Sequence, residues 1–396
     1  MTTVEAQPVR RPTARSAPRI GRLKLRSYRN FDELACELPE DGVAIVGPNG
    51  SGKTNLLEAV YYLEVFRSFR GAADRELVRF GETVFRIEAT LDGGRVESVA
   101  AAYDRAQRLK KAEVDGRDAE RISAAIGSVG VAVFRLEDAE IVRGSPGERR
   151  RFLDVALSVG DPRYLTALQK YRSLLGQRNE ALRRGAAGAE LEAWTQGLVD
   201  AGARISKRRA DWVREGASIY ASHYGRISGG DAADIRYASS IERADPDDAA
   251  GDGREGDEAA WREAFRRGLD ASRDRELRRG VTVIGPHRDD VRFTLGASGD
   301  ERDLRGYGSS GQQRTAALAL RLLEADRLRD RLEHEPVYLL DDVFAELDER
   351  RSERLIELFD GDRAGQVILT APKPGDVALR GGDLERWRIR DGRLEA

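Results

Sequence analysis

Eight consecutive residues, Gly47-Pro48-Asn49-Gly50-Ser51-Gly52-Lys53-Thr54, satisfy the pattern G-x-x-x-x-G-K-[ST]. Glycines at this spacing let a backbone wrap closely around phosphates with its N–H groups turned inward, and a helix beginning at the end of the loop adds its positive dipole end. Lys53 is placed to reach the outer phosphates and the Thr54 hydroxyl to ligate Mg²⁺. Such a loop needs an acidic partner at the end of a buried strand. Val337-Tyr338-Leu339-Leu340-Asp341-Asp342 supplies one. Asp341 fits the magnesium position, and Asp342, one residue on, is placed to polarise an attacking water as a general base. Alone, two carboxylates after a strand also suit the start of an ordinary loop; the phosphate loop in the same chain favours the chemical reading.

Three further segments bear on phosphate chemistry. Ser309-Ser310-Gly311-Gln312-Gln313 precedes a helical run from Ala316 to Leu328. A serine hydroxyl, a closely approaching glycine and a helix N-terminus suit a phosphate, although the pentapeptide is also a common turn composition. Ala345-Glu346-Leu347-Asp348 follows the aspartate pair, and Thr370 ends the apolar run Val367 to Leu369. His223, His287 and His334 are scattered and form no zinc pattern with Cys36. His287 beside Arg288 suits either a phosphate or a structural place at a strand end.

These groups need elements to hold them. Val43 to Val46 is apolar throughout and runs into the glycine loop, while Leu56, Leu57, Val60, Tyr61 and Leu63 fall on helical spacing, so the order is strand, loop, helix. Residues 20–26 alternate as a half-buried strand, and short β-like runs occur at Val96 to Ala102 and Val129 to Phe134. From about residue 138 the pattern becomes helical: Tyr164, Leu168, Tyr171, Leu175 and Leu182 share one face, and Leu198, Ile205, Trp212 and Ile219 recur every seven residues. Gly185-Ala186-Ala187-Gly188 between them reads as a hairpin turn, giving a short antiparallel helical arm. Residues 243–258 are acidic, glycine-rich and poor in apolar residues, which predicts a disordered loop; Trp261, Phe265 and Leu269 resume a helix. The last third returns to α/β character with strands at 337–340 and 367–369 around a helix from Asp348 to Leu358. The expected division is a tail at 1–18, a first ATPase part at 19–137, a helical domain at 138–275 and a second ATPase part at 276–396, with the two sheet-rich ends closing into one domain.

Composition bounds the remaining possibilities. The chain has 396 residues, 40% hydrophobic and 34% charged, enough for more than one core. One cysteine excludes an internal disulfide and suits a reducing compartment. No apolar run approaches the ~18–20 residues of a membrane span. Lys and Arg total 67 against 69 Asp and Glu, which argues against a histone-like binder but leaves room for a local basic groove.

Ser309 to Gln313, lying shortly before the acidic strand end, resembles the signature motif of ATP-binding-cassette ATPases, which contacts the γ-phosphate bound by the opposite subunit. Ala345 to Asp348 resembles the D-loop that crosses the dimer interface, with Asp348 its acidic member, and Thr370 occupies the switch position. Lys53 and Asp341 lie almost a chain apart, as in the split heads of chromosome-organising and break-repair ATPases. Within that group the chain resembles the RecF family across most of residues 20–390. The carrying segments are Tyr28-Arg29-Asn30-Phe31, Arg67-Ser68-Phe69-Arg70, Gly147 to Asp154, Gln177-Arg178-Asn179, Gly285-Pro286-His287-Arg288-Asp289 and Gly311-Gln312-Gln313-Arg314. Ser310 departs from the glutamine common there. The resemblance implies an α/β P-loop NTPase head with a helical second domain. It implies a weak ATPase with ATP and Mg²⁺ as cofactors, bound by Gly47 to Thr54 and by Thr54 with Asp341, and with Ser309, Gly311 and Gln312 acting in trans. It further implies an ATP-dependent homodimer in the bacterial cytoplasm that binds single-stranded or gapped DNA and works with RecO and RecR. A transporter cassette would share the motifs but rarely a helical insertion of this length. A nuclease-coupled ATPase would need an appended domain for which no room follows Asp342.

Overall fold

Side-chain alternation makes the first strand, β1 (Arg19–Tyr28), where Leu23 and Leu25 are buried and Arg22, Lys24 and Arg26 exposed. The computed structural model describes residues 18–186, 188–241, 257–296, 300–345, 347–361, 365–373, 384–390 and 392–395. The tail expected at 1–18 and the acidic loop at 243–258 lie outside the described residues, apart from residue 18 and the last two of the loop. After β1 come β2 (Phe31–Glu37), β3 (Gly42–Val46), α1 (Lys53–Val65), α2 (Asp74–Leu77), β4 (Val84–Asp92), β5 (Ser98–Asp104), β6 (Leu109–Val114), β7 (Arg117–Asp118), α3 (Ile122–Ala125) and β8 (Val131–Arg135). The helical stretch follows with α4 (Ala139–Arg143), α5 (Pro146–Gly160), α6 (Pro162–Arg183), α7 (Ala189–Ser228), β9 (Ala233–Ala238) and α8 (Glu258–Arg279). The chain then runs through β10 (Asp290–Leu295), β11 (Arg302–Asp303), α9 (Leu304–Tyr307), α10 (Ser310–Leu332), β12 (Val337–Asp341), α11 (Glu349–Gly361), β13 (Val367–Ala371), β14 (Glu385–Arg390) and β15 (Arg393–Glu395).

Two six-stranded sheets flank α1. One is antiparallel, in the order β2-β1-β4-β5-β6-β7; the other runs β15-β14-β3-β13-β12-β8. In the second, β3 pairs in parallel with β13 and β14, and β12 with β13 and β8. Strands from both ends of the chain therefore close one sheet around the helical insertion. Strands β3, β12 and β13 are buried at every position because helices cover both faces, as parallel sheets require. On one face Val43, Ile45, Leu339 and Ile368 pack with α1 and the antiparallel sheet; on the other Ala44, Val46, Leu340 and Leu369 meet α10 and α11. Sandwiched this way, α1 is buried at eleven of its thirteen positions, Glu58 and Glu64 included.

The hairpin of α6 and α7 turns at Gly185, as the spacing predicts, and the heptad residues Leu198, Ile205 and Trp212 are buried. A third helix, α8, lies along this antiparallel arm: Arg178 of α6 donates to Glu276 of α8 at 2.7 Å and to Thr282 at 2.7 Å, all three buried. The sequence pattern did not announce the small sheet β11-β10-β9. It packs with the helices and with the N-terminal half of α10 in one core.

Candidate nucleotide site

The phosphate loop lies between the end of β3 and the start of α1, and its glycines are needed at three points for different reasons. Gly50 (φ 83°) and Gly52 (φ 116°) adopt left-handed backbone that L-residues disfavour. At Gly47 an added Cβ would sit 2.5 Å from the Ile389 carbonyl oxygen, so β14 closes the loop from behind. Lys53 is 4% exposed, and its ammonium donates to the carbonyls of Gly47 (2.8 Å) and Pro48 (3.3 Å), which aims it across the mouth of the loop. Ser51 is buried with its Oγ unpartnered among the described residues. A glycine cradle, a buried ammonium and an orphaned hydroxyl at a helix N-terminus fit a polyphosphate.

The acidic strand end arrives at the same point. Thr54 Oγ1 donates to Asp341 Oδ1 at 2.9 Å, although the two residues lie 287 positions apart. Thr370 Oγ1, from the neighbouring strand β13, donates to the same oxygen at 2.8 Å, and the Asp342 N–H donates to Thr370 Oγ1 at 3.1 Å. Burial holds the Asp341 carboxyl above its ordinary pKa; the Thr370 and Thr54 hydroxyls pull the other way, and the Asp342 charge adds to the rise. A cation beside Thr54 and Asp341 would relieve that burial cost. Among the described residues no three His, Cys, Asp or Glu form a metal cage, so Mg²⁺ here would take its other ligands from phosphates and water. Asp342 sits at φ 49°, an unusual value for a non-glycine residue, immediately after a strand that is buried throughout. Its carboxylate lies 3.5 Å from Thr370 Oγ1, and backbone held in this region is a recurrent mark of functional positions.

Sequence reasoning missed what braces the loop. Asn30, in the turn between β1 and β2, donates from Nδ2 to the Ser51 carbonyl (3.1 Å) and accepts from Asn55 Nδ2 (2.8 Å). Asn55 in turn accepts from Arg70 (3.0 Å), and the Gly392 N–H donates to Ser51 O (3.2 Å). Arg29 pairs through Nε and Nη2 with buried Glu58 of α1, which also accepts from Ser68. The signal was present: Tyr28 to Phe31 and Arg67 to Arg70 are the segments quoted above for the family resemblance, and both lie against α1.

The signature segment is placed differently. Ser309 caps α10: its Oγ accepts from the Gln312 N–H (3.2 Å), while the Ser309 N–H donates to Gln312 Oε1 (2.9 Å). Ser309 and Ser310 are exposed. At Gly311 a Cβ would lie 2.5 Å from Arg351 Nη1, and Arg351 is paired with Asp348 at 2.9 Å. The Asp348 carboxylate also accepts the Arg351 N–H, starting α11. Signature and D-loop thus share one outward surface joined by Arg351; Glu346 lies outside the described residues. None of these contacts reaches the phosphate loop. His287 resolves to a structural role: Thr282 O can only accept, so Nε2 carries the proton (3.1 Å) and Nδ1 accepts from Tyr171 (2.7 Å). His223 bonds Asp326 and His334 bonds the Glu335 carbonyl.

Comparison with known proteins agrees with this geometry. Residues 19–379 match the family model described as RecF/RecN/SMC N terminal domain. The chain is 34% identical over 388 residues to the DNA replication and repair protein RecF of Bacillus subtilis, covering 95% of this chain and 99% of that protein. It is 35% identical over 405 residues to that of Roseiflexus castenholzii, with the same coverage. A solved structure of the recombination mediator protein RecF with ATP, of the RecFOR pathway, superposes with a TM-score of 0.84 at 29% identity over 97% of this chain and 99% of that one. An Smc head from Pyrococcus furiosus shares the fold alone, at a TM-score of 0.54 and 15% identity. A split P-loop head carrying a helical insertion, matched over nearly its whole length, places the chain in the RecF family.

Proposed function

We propose that this protein is an ATP-switched, DNA-binding protein of recombinational repair and replication. ATP is held by Gly47 to Thr54, with Pro48 and Asn49 completing the loop and Mg²⁺ beside Thr54 and Asp341. Asp342 acts as the base that orients water, in a slow ATPase that serves as a switch. Two heads close on ATP, each offering Ser309, Gly311 and Gln312 to its partner's γ-phosphate and Asp348 to the shared interface. The division into ATPase parts at 19–137 and 276–396 around a helical domain at 138–275 is supported by β3 and β8 sharing a sheet with β12 to β15. The second core also takes in residues between 284 and 323.

The observation that carries this reading is the pairing of Thr54 with Asp341 across 287 residues, in a chain whose signature faces outward. The names of the relatives support DNA repair as the setting, and the solved relative with ATP supports the nucleotide. Single-stranded or gapped DNA as ligand, RecO and RecR as partners, the SOS response and a cytoplasmic location belong to the same proposal. No helix among the described residues is long and apolar enough to cross a membrane.

Fluorescence anisotropy on a gapped duplex, with ATP and with ADP, tests it. ATP should tighten binding, and the affinity should fall steeply with salt while differing little among base sequences. Equal binding with ATP, ADP and no nucleotide would refute the switch.

A further inference from the structure

A cavity of about 250 Å³ opens in the helical region, where the start of α5, the adjoining faces of α6 and α7 and the turn before β10 meet. Its charged lining is Arg150, Arg151, Arg172 and Arg209 against one carboxylate, Asp154. His287 also lines it and adds no charge near neutral pH, because burial pushes its imidazole down to about 4. Four cations less one anion leave three positive charges in excess.

The four arginines are not equivalent. Arg209 is 2% exposed and locked, donating to Asp154 (2.6 Å), Tyr164 (3.0 Å) and the Pro286 carbonyl (2.7 Å). Arg172 reaches Asp154 at 2.9 Å, yet its side chain stays 55% exposed. Among the described residues, Arg150 and Arg151 donate only to neutral carbonyls, those of Asp289 (2.7 Å) and Ser68 (3.3 Å). The nearest other carboxylates are already engaged: Asp289 by Ser206, Ser240 and Tyr237, and Asp290 by Arg149. Burial, and next the Arg209 charge, hold the Arg150 guanidinium below its ordinary pKa, with Asp290, Asp289 and Asp154 opposing. Like charges gathered in a concave, partly desolvated place are costly unless an anion completes them.

We propose that this pocket holds a backbone phosphate of the nucleic acid, with Arg150, Arg151 and Arg172 donating to it over the fixed floor of Arg209. The inference rests on the DNA-binding reading given above. Planar guanidinium forks suit a phosphodiester, and Gly147 at the start of α5 adds no side chain to the cavity it lines. Arg151 also connects the pocket to the nucleotide. Its acceptor Ser68 takes the Arg70 N–H on its Oγ, and Arg70 leads through Asn55 and Asn30 to the Ser51 carbonyl of the phosphate loop. A phosphate drawn to Arg151 pulls on one end of a hydrogen-bonded chain that ends at the ATP site.

The test is binding of a gapped duplex with ATP across a salt series, for the native chain and for Arg150→Gln, Arg151→Gln and Arg172→Gln. The side chains of Arg151 and Arg172 are exposed, so those two variants should fold even if Arg150→Gln does not. Each substitution should lower the slope of log affinity against log salt by about one, uniformly across sequences. Native protein that fails to bind DNA would remove the DNA reading itself. Native protein that binds, with slopes unchanged in both exposed-site variants, would overturn the pocket and leave that reading standing. Inorganic phosphate that stabilises the native chain but not the variants, with slopes unchanged, would assign the pocket to a free anion and likewise overturn the proposal.

Discussion

The phosphate loop and the signature segment both place glycine and hydroxyl groups at the start of a long helix, yet they meet opposite surroundings. Around the loop, Ser51 and Lys53 are buried, and partners arrive from four distant places: Asn30, Asp341 with Thr370, Ile389 and Gly392. Around the signature, Ser309 and Ser310 are exposed, the cap closes on its own Gln312, and the side chain nearest the Cβ position of Gly311 is Arg351 from the D-loop side. Similar local chemistry is thus finished inside the chain in one region and presented outward in the other. Under the proposed function, a phosphate site split this way would become whole only when a second surface arrives, which would make nucleotide an interface component.

The strongest way to separate the two regions is Asp342→Asn. The amide keeps the shape of the turn after β12 but loses the base, so turnover should drop roughly 10²- to 10⁴-fold while ATP binding and dimerisation persist. Loss of binding in step with turnover would mean that Asp342 serves the metal rather than the water. Next in size is Lys53→Ala, which removes the buried ammonium from the completed region. Charged hydrogen bonds contribute roughly 1.5–3 kcal/mol, so ATP affinity of the monomer should fall about 10- to 100-fold, measured by filter binding or calorimetry. Undiminished affinity would break the phosphate-loop assignment.

The smallest effect lies in the helical region and concerns stability. His287 is half-buried and neutral, its pKa of about 4 lying below the ordinary 6.5, so the unfolded chain takes up the proton first as pH falls. Stability present above about pH 6.5 is then lost progressively toward pH 4, on the order of 2 kcal/mol by pH 5. Urea melts at pH 7 and pH 5 should show this loss, and His287→Gln should flatten it. An equal acid loss in the variant would place the titrating group elsewhere.

Much of the site was legible in the sequence because its parts are local patterns. The loop, the apolar strand with its two aspartates and the capped helix after Ser309 each specify their own geometry within a few residues, and all appear where their spacing puts them. Long-range polar pairing was not legible. Asn30 is ordinary in a turn, and only the fold shows it bracing Ser51. The same holds for Gln366, which bonds both the N–H and the carbonyl of Ile20 and so ties the two large sheets together. Buried ion pairs were out of reach in the same way: Arg178, Arg209 and Arg321 are buried and paired with Glu276, Asp154 and Asp138. Strands β9 and β10 escaped notice because their alternation is short and lies on either side of the acidic segment. The segments quoted for family resemblance now have physical reasons. Gly285 (φ 120°) passes so close to Tyr171 and Phe265 that a Cβ would clash with both, and Asp289 gathers the Ser206, Tyr237 and Ser240 donors.

The measurement that bears most directly on the split site is sedimentation velocity of the native chain and of Ser309→Arg over a range of ATP concentrations. Losing the cap costs about 1 kcal/mol of helix stability, which a two-core protein tolerates. The native chain should pass from monomer to dimer as ATP rises, by mass action. Ser309→Arg should bind ATP nearly as well, because its own phosphate loop is intact, and remain a monomer that neither hydrolyses ATP nor gains DNA affinity. A Ser309→Arg protein that dimerises on ATP at the native concentrations would contradict the account, since the outward face would then have no part in completing the site.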